Sequence, residues 1–288
     1  MFYAVHMDSL VSTQWLAREL GSPDLVILDA STHLPDAGRD PAADFAKEHI
    51  PGARFLDLAS LFDPESPVPG AVPTPQQFAA RMAKLGISND QRLVIYDDSY
   101  VKTSARAWFI CRLNGVKQVA VLDGGLGKWR SEGRPLESGD VTSAPGDYAP
   151  TPAGTDRLRT KAQVLANIDS GAEQLVDARG AKRFTGEEGD FRPNIASGHI
   201  PGSRNVVFDQ VLNPDGTYKD PAAIEAAFKA AGVDLTSPIV TTCGGGVTAS
   251  VLLFALHLAG KDDVALYDGS WSEWGADPAL PKEMGEAV

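Results

Sequence analysis

The sequence contains very little cysteine: two of its 288 residues, Cys111 and Cys243, carry a thiol. Two thiols are too few for the disulfide framework of a small secreted protein. Histidine is also scarce, with five residues, and none of them stands at a spacing from cysteine that is typical of a zinc site. We therefore predict neither a metal nor another cofactor.

Positive charge is in short supply as well. The chain has 26 lysines and arginines against 38 aspartates and glutamates, which gives a formal net charge of −12 at pH 7. A surface of this sign does not favour nucleic acids or anionic membranes as partners. A negatively charged substrate would need positive charge concentrated at its own site, so arginines near that site matter more than the total.

Long uncharged apolar runs are absent, and the first residues do not show the charged, apolar and small-residue succession of a secretory signal. From these two absences we expect no membrane partner and a cytoplasmic location. What the chain does have is an apolar fraction of 43%, which is enough to fill the cores of two domains of ordinary size.

Four landmarks of the first half recur in the same order in the second half. They are Asp29 and Asp177 at the ends of short apolar runs, 148 residues apart; His49 and His199 in His-Ile-Pro-Gly turns, 150 apart; Asp97 and Cys243 at the ends of two further runs, 146 apart; and Asp123 and Asp268 in Asp-Gly turns, 145 apart. Four landmarks at nearly one spacing predict a duplicated domain.

Each half alternates short apolar strands with helices. This order predicts an α/β fold in which a mostly parallel sheet is covered by helices on both faces. We predict two tandem domains of this kind, over residues 1–137 and 157–288. Residues 138–156 are rich in Pro, Gly, Ser and Thr, which is typical of a linker. Ligands of such sheets gather at the carboxyl ends of the strands.

The most informative stretch of the sequence surrounds Cys243. A β-rich run, Ile239–Thr242, ends at this cysteine, and an apolar helical pattern begins a few residues later. The positions between them are Gly244, Gly245, Gly246, Val247 and Thr248. Because three of these residues lack a Cβ atom, their N–H groups can turn towards the sulfur, and the positive end of the helix points at the same place. The pattern predicts a pocket for a thiolate or a persulfide.

The alternative is a cysteine that only fills the core, followed by glycines that only mark a turn. We interpret Cys111 in that way, because it lies in an apolar helical run, Ala107–Leu113. The first half has Asp97 at the position that Cys243 takes in the second. A carboxylate cannot act as a sulfur nucleophile, so we predict that the first half is non-catalytic.

Taken together, these residues resemble the two-domain form of the rhodanese family of sulfurtransferases, over nearly the whole chain. The motifs that carry the resemblance are His49-Ile-Pro-Gly, Asp123-Gly-Gly, Asp177-Ala-Arg, Gly198-His-Ile-Pro-Gly, Cys243-Gly-Gly-Gly-Val-Thr and Tyr267-Asp-Gly-Ser-Trp. In this family a cysteine takes a sulfane sulfur from a small-molecule donor, holds it as a persulfide, and passes it to a thiol such as thioredoxin or to cyanide. The resemblance implies that Cys243 is the catalytic residue and that residues 244–248 bind the substrate.

The donor follows from the same resemblance. Family members that use thiosulfate tend to carry basic residues in the loop after the cysteine, whereas members that use 3-mercaptopyruvate tend to carry a neutral loop. The loop here is neutral. The resemblance therefore implies transfer of sulfur from 3-mercaptopyruvate with release of pyruvate. Thiosulfate as the donor is the alternative, and a non-catalytic sulfur carrier is a further one.

Two arginines complete the implied site. Arg183 and Arg192 match, at the same separation, two arginines that bind substrate in the 3-mercaptopyruvate enzymes. A guanidinium can hold a carboxylate by two parallel hydrogen bonds, so the resemblance implies a carboxylate clamp. The alternative is that both arginines only balance the acids between them, Glu187, Glu188 and Asp190.

Some positions depart from the 3-mercaptopyruvate pattern. Gly245 stands where a serine is frequent, and Ala59 and Gly70 stand where some members carry an acid and a histidine. A Ser–His–acid relay is therefore absent, and proton transfer would use water or the substrate. A cysteine phosphatase, which has a related fold, needs an arginine six positions after its cysteine, where this chain has Ala249. Arg179 is interpreted as a scaffold residue that is paired with an acid.

Overall fold

The computed structural model describes residues 7–152 and 154–287. The chain divides into two compact units. The first takes the chain up to Asp63, together with Val72–Gly154 and Pro214–Thr217; the second takes Pro64–Ala71, Thr155–Asn213 and the residues from Tyr218 onwards. Among the described helices, none combines the length and the hydrophobicity that crossing a bilayer requires.

The first unit alternates short strands with α-helices. In chain order the elements are β1 (Leu10–Val11), α1 (Thr13–Glu19), β2 (Leu25–Asp29), α2 (Pro41–Lys47), β3 (Arg54–Phe55), α3 (Pro75–Lys84), β4 (Arg92–Tyr96), α4 (Thr103–Leu113), β5 (Val119–Leu122) and α5 (Gly125–Ser131). Short 3-10 helices lie at Pro35–Ala37 and Leu58–Ser60.

The second unit has the same succession. Its elements are β6 (Leu158–Arg159), α6 (Lys161–Ser170), β7 (Gln174–Asp177), α7 (Ala181–Thr185), β8 (Arg204–Asn205), α8 (Pro221–Ala230), β9 (Ile239–Thr242), α9 (Val247–Leu258), β10 (Val264–Tyr267) and α10 (Ser270–Trp274). Short 3-10 helices lie at Thr155–Arg157 and Phe208–Val211.

One parallel five-stranded sheet forms the centre of each unit, with helices around it. The strand order is β1-β5-β4-β2-β3 in the first sheet and β6-β10-β9-β7-β8 in the second, and every pairing within these two sheets is parallel. Each strand of the second sheet thus takes the place of the strand five positions earlier. The predicted α/β class and the predicted duplication are confirmed.

The central strands are buried along their whole length. Every residue of β4, β5, β9 and β10 is buried. Strands that are covered on both faces read as continuous apolar runs instead of alternating ones, and this is why the sequence marks them clearly. The repeat extends to side chains, because Trp129 and Trp274 are both fully buried and each donates its Nε1–H to a proline carbonyl, at 2.8 and 2.9 Å.

The segment predicted as a linker has no helix or strand over residues 138–152. It is nevertheless bound to the first unit along its course. The N–H groups of Gly139 and Gly146 donate to carbonyls of that unit at 2.7 Å each, and the buried Tyr148 packs edge-on against Phe78 at 5.6 Å. A composition rich in Pro and Gly therefore marks irregular backbone here, but not a free tether.

Both His-Ile-Pro-Gly turns are fixed by their histidines. His49 stacks on Phe45, and its Nδ1 lies 2.8 Å from the Phe45 carbonyl oxygen. His199 stacks on Phe184 in the same way, with Nδ1 2.9 Å from that residue's carbonyl oxygen. Because the arrangement is identical in the two units, and only one of them has a cysteine at its central strand end, these histidines serve the fold.

Candidate active site

Cys243 lies at the carboxyl end of β9, the central strand of the second sheet. Its side chain is buried, with 2% of the residue exposed. Three glycines separate it from α9, and Gly246 immediately precedes that helix with a φ of 82°. A side chain disfavours this left-handed conformation, so the last glycine allows the chain to turn from strand into helix within three residues.

Two other segments hold the backbone of this loop. The Cys243 N–H donates to Ser270 Oγ at 3.2 Å, and the Cys243 carbonyl accepts from Trp271 N–H at 2.9 Å. The Gly244 carbonyl accepts from Ser272 N–H at 2.9 Å and from Arg192 Nη1 at 2.8 Å. The carbonyls of Cys243 and Gly244 are therefore occupied by α10 and by Arg192.

The N–H groups of the loop are in the opposite condition. In the part of the chain that the structure describes, the six consecutive N–H groups from Gly244 to Ala249 donate to no protein acceptor. The next one, that of Ser250, bonds back to the Gly246 carbonyl at 3.3 Å. Free donors in a row at the start of a helix form a site for an anion, since the donors and the helix dipole act in the same direction.

Asp190 joins the two arginines of the implied clamp. Its carboxylate accepts from Arg183 Nη2, and from Arg192 through Nε at 2.8 Å, Nη2 at 2.8 Å and the backbone N–H at 3.0 Å. The Asp190 side chain is 2% exposed, whereas those of Arg183 and Arg192 are 22% and 26% exposed. Burial alone would raise the pKa of Asp190, but the hydrogen bonds from Arg192 and the charge of Arg183 hold it well below its usual range.

Both arginines lie against the loop that follows the cysteine. A Cβ atom placed on Gly244 would be 3.2 Å from Arg192 Nη2 and 3.7 Å from Arg183 Nη2. The structure thus brings the loop and both guanidinium groups together, as the resemblance implied. The alternative holds only in part: the arginines do pair with an acid, but within the described residues that acid is Asp190 and neither Glu187 nor Glu188.

Arg179 lies apart from this group, as its interpretation as a scaffold residue predicted. It is 4% exposed, bonds to Asp177 through Nε and Nη2, and lies 4.4 Å from the ring centroid of Trp271. It also donates to the Gly198 carbonyl at 2.8 Å. The pair ties the end of β7 to α10, whose Trp271 N–H in turn holds Cys243.

Sequence reasoning missed two residues beside the clamp. Asp190 was considered only as a surface counter-ion, and Phe191, 61% exposed, was not considered at all. The Phe191 ring lies 5.1 Å from the Arg183 guanidinium carbon and 5.2 Å from that of Arg192. Nothing in the run of acids between the arginines distinguishes the buried one from the exposed ones.

A third missed residue, Ser270, could have been found from the repeat. It is fully buried and has a φ of 49°, although it is not a glycine. The matching residue of the first unit is Gly125, with a φ of 59°. A residue other than glycine keeps this strained conformation only where its surroundings stabilise it, so the serine side chain is expected to make specific contacts. Its Oγ accepts from Cys243 N–H and donates to the Tyr267 carbonyl at 2.8 Å.

The chain is similar to known proteins in both sequence and structure. The profile of the rhodanese-like domain matches the chain twice, over residues 12–132 and 160–277. The chain belongs to the rhodanese-like domain family. The family and the fold predicted from the sequence are thereby confirmed, and both halves carry the family's domain.

Rhodanese relatives with either donor in their names are equally similar to the chain. The 3-mercaptopyruvate sulfurtransferase of Mus musculus is 40% identical over 272 residues, which cover 92% of this chain and 91% of the relative. The thiosulfate sulfurtransferase of Cricetulus griseus is 40% identical over 285 residues, which cover 95% and 94%. A crystal structure of a 3-mercaptopyruvate sulfotransferase from Escherichia coli aligns with a TM-score of 0.84 at 35% identity, covering 93% of this chain and 100% of the other. Overall identity therefore does not select the donor.

Proposed function

We propose that this rhodanese is a sulfurtransferase that moves a sulfane sulfur from 3-mercaptopyruvate, through a persulfide on Cys243, to a thiol or cyanide, with release of pyruvate. The observation that carries the proposal is a buried cysteine at a strand end, flanked by two arginines and followed by six N–H groups that have no acceptor within residues 7–152 and 154–287. The names of the relatives support the same reaction class.

In the first half-reaction, the Cys243 thiolate attacks the sulfur atom of the donor. An S–S bond forms while the C–S bond of the donor breaks, and the electron pair of that bond passes to the enolate of pyruvate. Arg183 and Arg192 hold the donor carboxylate and stabilise the negative charge of the enolate. The enolate then takes a proton from water and leaves as pyruvate.

In the second half-reaction, the thiolate of an acceptor attacks the outer sulfur of the persulfide. The S–S bond to Cys243 breaks, and the enzyme thiolate is restored. Between the two steps the persulfide is stabilised by the N–H groups of Gly244, Gly245, Gly246, Val247 and Thr248. Two half-reactions that share one covalent intermediate give ping-pong kinetics.

The choice of donor depends on the loop and not on overall similarity. The residues that follow Cys243 carry no charge, so the loop itself adds no positive charge to that of the neighbouring side chains. This suits a donor with one carboxylate better than the thiosulfate dianion, which is the alternative donor.

The difference between the two strand ends supports a chemistry that is confined to one half. We propose that residues 157–288 form the catalytic domain, that residues 1–137 form a non-catalytic domain with Asp97 at the cysteine position, and that residues 138–156 connect them. Cys243 is not in a disulfide, as its role requires. A thiol acceptor such as thioredoxin and a reducing location such as the cytoplasm are part of the same proposal, because the cycle consumes a reduced thiol.

The test is steady-state kinetics with the two donors and a common thiol acceptor. We expect a higher kcat/KM with 3-mercaptopyruvate than with thiosulfate, and parallel double-reciprocal lines. Mass spectrometry after incubation with donor alone should find one added sulfur atom on the peptide that contains Cys243. A preference for thiosulfate would overturn the donor, and absence of turnover with both donors would overturn the function.

A further inference from the structure

The mechanism leaves one buried charged group at the site without a role. Asp190 is the most buried of the three charged side chains beside the loop, and it contacts both of the others. It lies two residues before Arg192 and bonds to that residue's backbone N–H, so the carboxylate and the guanidinium are fixed to one short piece of chain.

The hydrogen bonds divide the two arginines by role. Arg192 donates from Nε and Nη2 to Asp190 and from Nη1 to the Gly244 carbonyl. Every nitrogen of its guanidinium is therefore used within the protein. Arg183 donates to Asp190 through Nη2, while its other terminal nitrogen, Nη1, donates to no acceptor among the described residues. Arg183 has more donor capacity left for a ligand, whereas Arg192 braces the loop after Cys243.

Asp190 also sets the charge that a donor meets. Two guanidinium groups and one carboxylate leave a single net positive charge beside the neutral loop. A donor whose only charged group at this place is a carboxylate is matched by one positive charge. A dianion is left with one of its two charges uncompensated, which costs Coulomb energy beside these partly buried charges.

We propose that Asp190 is a positioning and specificity-determining residue: it holds Arg192 against the Cys243 loop and limits the local charge to a value that favours monoanionic over dianionic sulfur donors. The inference rests on the proposed function, because it concerns the selection of the donor by the same site. It assigns to a third residue the donor preference that the loop glycines alone do not explain.

The test removes the charge of Asp190 and keeps the shape of its side chain. In Asp190→Asn the side-chain oxygen can still accept from Arg192, while the net charge beside the loop rises by one. We expect the ratio of kcat/KM for thiosulfate to kcat/KM for 3-mercaptopyruvate to rise on the order of tenfold, since the dianion gains twice the Coulomb energy that the monoanion gains. The rise should shrink with added salt. Asp190→Glu, which keeps the charge, should keep the ratio of the unmodified enzyme.

Glu225→Gln is the matched control, because it makes the same change in net charge elsewhere. The Glu225 side chain on α8 is 40% exposed and pairs with Lys229, and it lines a surface pocket with Ala259 and Gly260 at the far end of α9. A helix of 12 residues is about 18 Å long, so this charge is remote from the start of α9. The donor ratio should not change in this variant.

The outcomes separate the possible failures. If Asp190→Asn lowers kcat/KM equally for both donors, the carboxylate is only structural and the inference is overturned. If it does not fold, Asp190→Ser makes the same charge change with space for water, and the same ratio decides. If the unmodified enzyme turns over neither donor, the proposed function itself fails, which is a different result.

Discussion

The end of the central strand has different hydrogen-bond partners in the two units. Asp97 follows β4 and Cys243 follows β9, and each carbonyl accepts an N–H from the matching helix start, Leu126 at 3.0 Å and Trp271 at 2.9 Å. In the first unit, the Asp97 carboxylate also accepts from the N–H groups of Ser99 and Ser104, both at 2.9 Å. One N–H group of the loop and one at the start of α4 are thus occupied by the chain's own anion.

In the second unit, the matching donors have no acceptor among the residues that the structure describes. The loop of the second unit is also shorter, since three residues separate Cys243 from α9, while five separate Asp97 from α4. The same scaffold can therefore form an anion site that is filled by its own carboxylate, or one that is available to a ligand. The difference depends on whether the residue at the strand end has a carboxylate that accepts hydrogen bonds from these N–H groups.

Removal of the sulfur should have the largest effect. We expect Cys243→Ser to lower kcat/KM with either donor by about 10⁴-fold or more, because a hydroxyl cannot form the persulfide. Steady-state assays with both donors measure this loss, and mass spectrometry should find no added sulfur.

Cys111→Ala is the control for that substitution. Burial raises the pKa of the Cys111 thiol to about 12, and the residue is 1% exposed in α4. This thiol is therefore inert at neutral pH, and its removal should leave kcat/KM unchanged. Activity that survived without Cys243 but not without Cys111 would reverse the assignment of the two cysteines.

The acids at the ends of β2 and β7 extend the comparison between the units. Asp177 is paired with the buried Arg179, whereas the matching position beside Asp29 is Ser31, whose N–H donates to the carboxylate at 2.8 Å. Burial without a cation raises the pKa of Asp29 from 3.8 to about 6. The negative charge of Asp97 raises this pKa further, whereas hydrogen bonds from Ser31 and Tyr96 lower it.

The two Asp→Asn substitutions should therefore act in opposite directions. A folded-state pKa above the unfolded one means that stability is lost as pH rises from about 4 to 6 and stays lost above that range. Asp29→Asn should then raise the free energy of unfolding by about 3 kcal/mol at pH 7 and by almost nothing at pH 4. Asp177→Asn should lower it by about 3 kcal/mol or more, because it leaves a buried guanidinium unpaired. Denaturant unfolding at both pH values measures this, and equal effects of Asp29→Asn at pH 4 and pH 7 would contradict the explanation.

Crowding beside the loop should have a smaller effect. In Gly244→Ala the new methyl group would lie 3.2 Å from Arg192 Nη2, so this guanidinium must shift away from Asp190 and the loop carbonyl. We expect kcat/KM for 3-mercaptopyruvate to fall between about 10- and 100-fold, as for other small misplacements at active sites. Gly180→Ala, which adds a methyl group to open space at the start of α7, should leave kcat/KM unchanged. Equal losses of kcat/KM in the two variants would show that the contact between the new methyl group and Arg192 is not the cause.

The fold could be predicted because its signals are local and repeated. Continuous apolar runs mark the buried strands, and each landmark such as Asp29 or His49 has a copy in the second half. The nature of residues 138–152 could not be predicted in full, since composition shows the lack of regular structure but not the hydrogen bonds that attach Gly139 and Gly146 to the first unit.

Only those members of the site that residue type and sequence context identify could be predicted. Cys243 and its glycines stand out because of their sequence context, and the two arginines because of the family resemblance. Asp190 could not be separated from Glu187 and Glu188, since burial of one acid among three depends on how the chain folds between the arginines. The donors of the loop were expected, but their counterpart around Asp97 was not, because a carboxylate that caps its own helix across a five-residue loop has no short-range signature.

Removal of the Asp97 carboxylate, which fills the anion site of the first unit, should have the smallest effect. Asp97→Ala removes the acceptor of the Ser99 and Ser104 N–H groups, so we expect the free energy of unfolding to fall by about 1–2 kcal/mol, the usual cost of a lost helix cap. Asp97→Asn keeps one acceptor oxygen and should cost less. Denaturant unfolding measures both, and sulfur transfer should stay unchanged, because the first unit is proposed to be non-catalytic. A loss of sulfur transfer at unchanged stability would mean that this strand end takes part in the reaction after all.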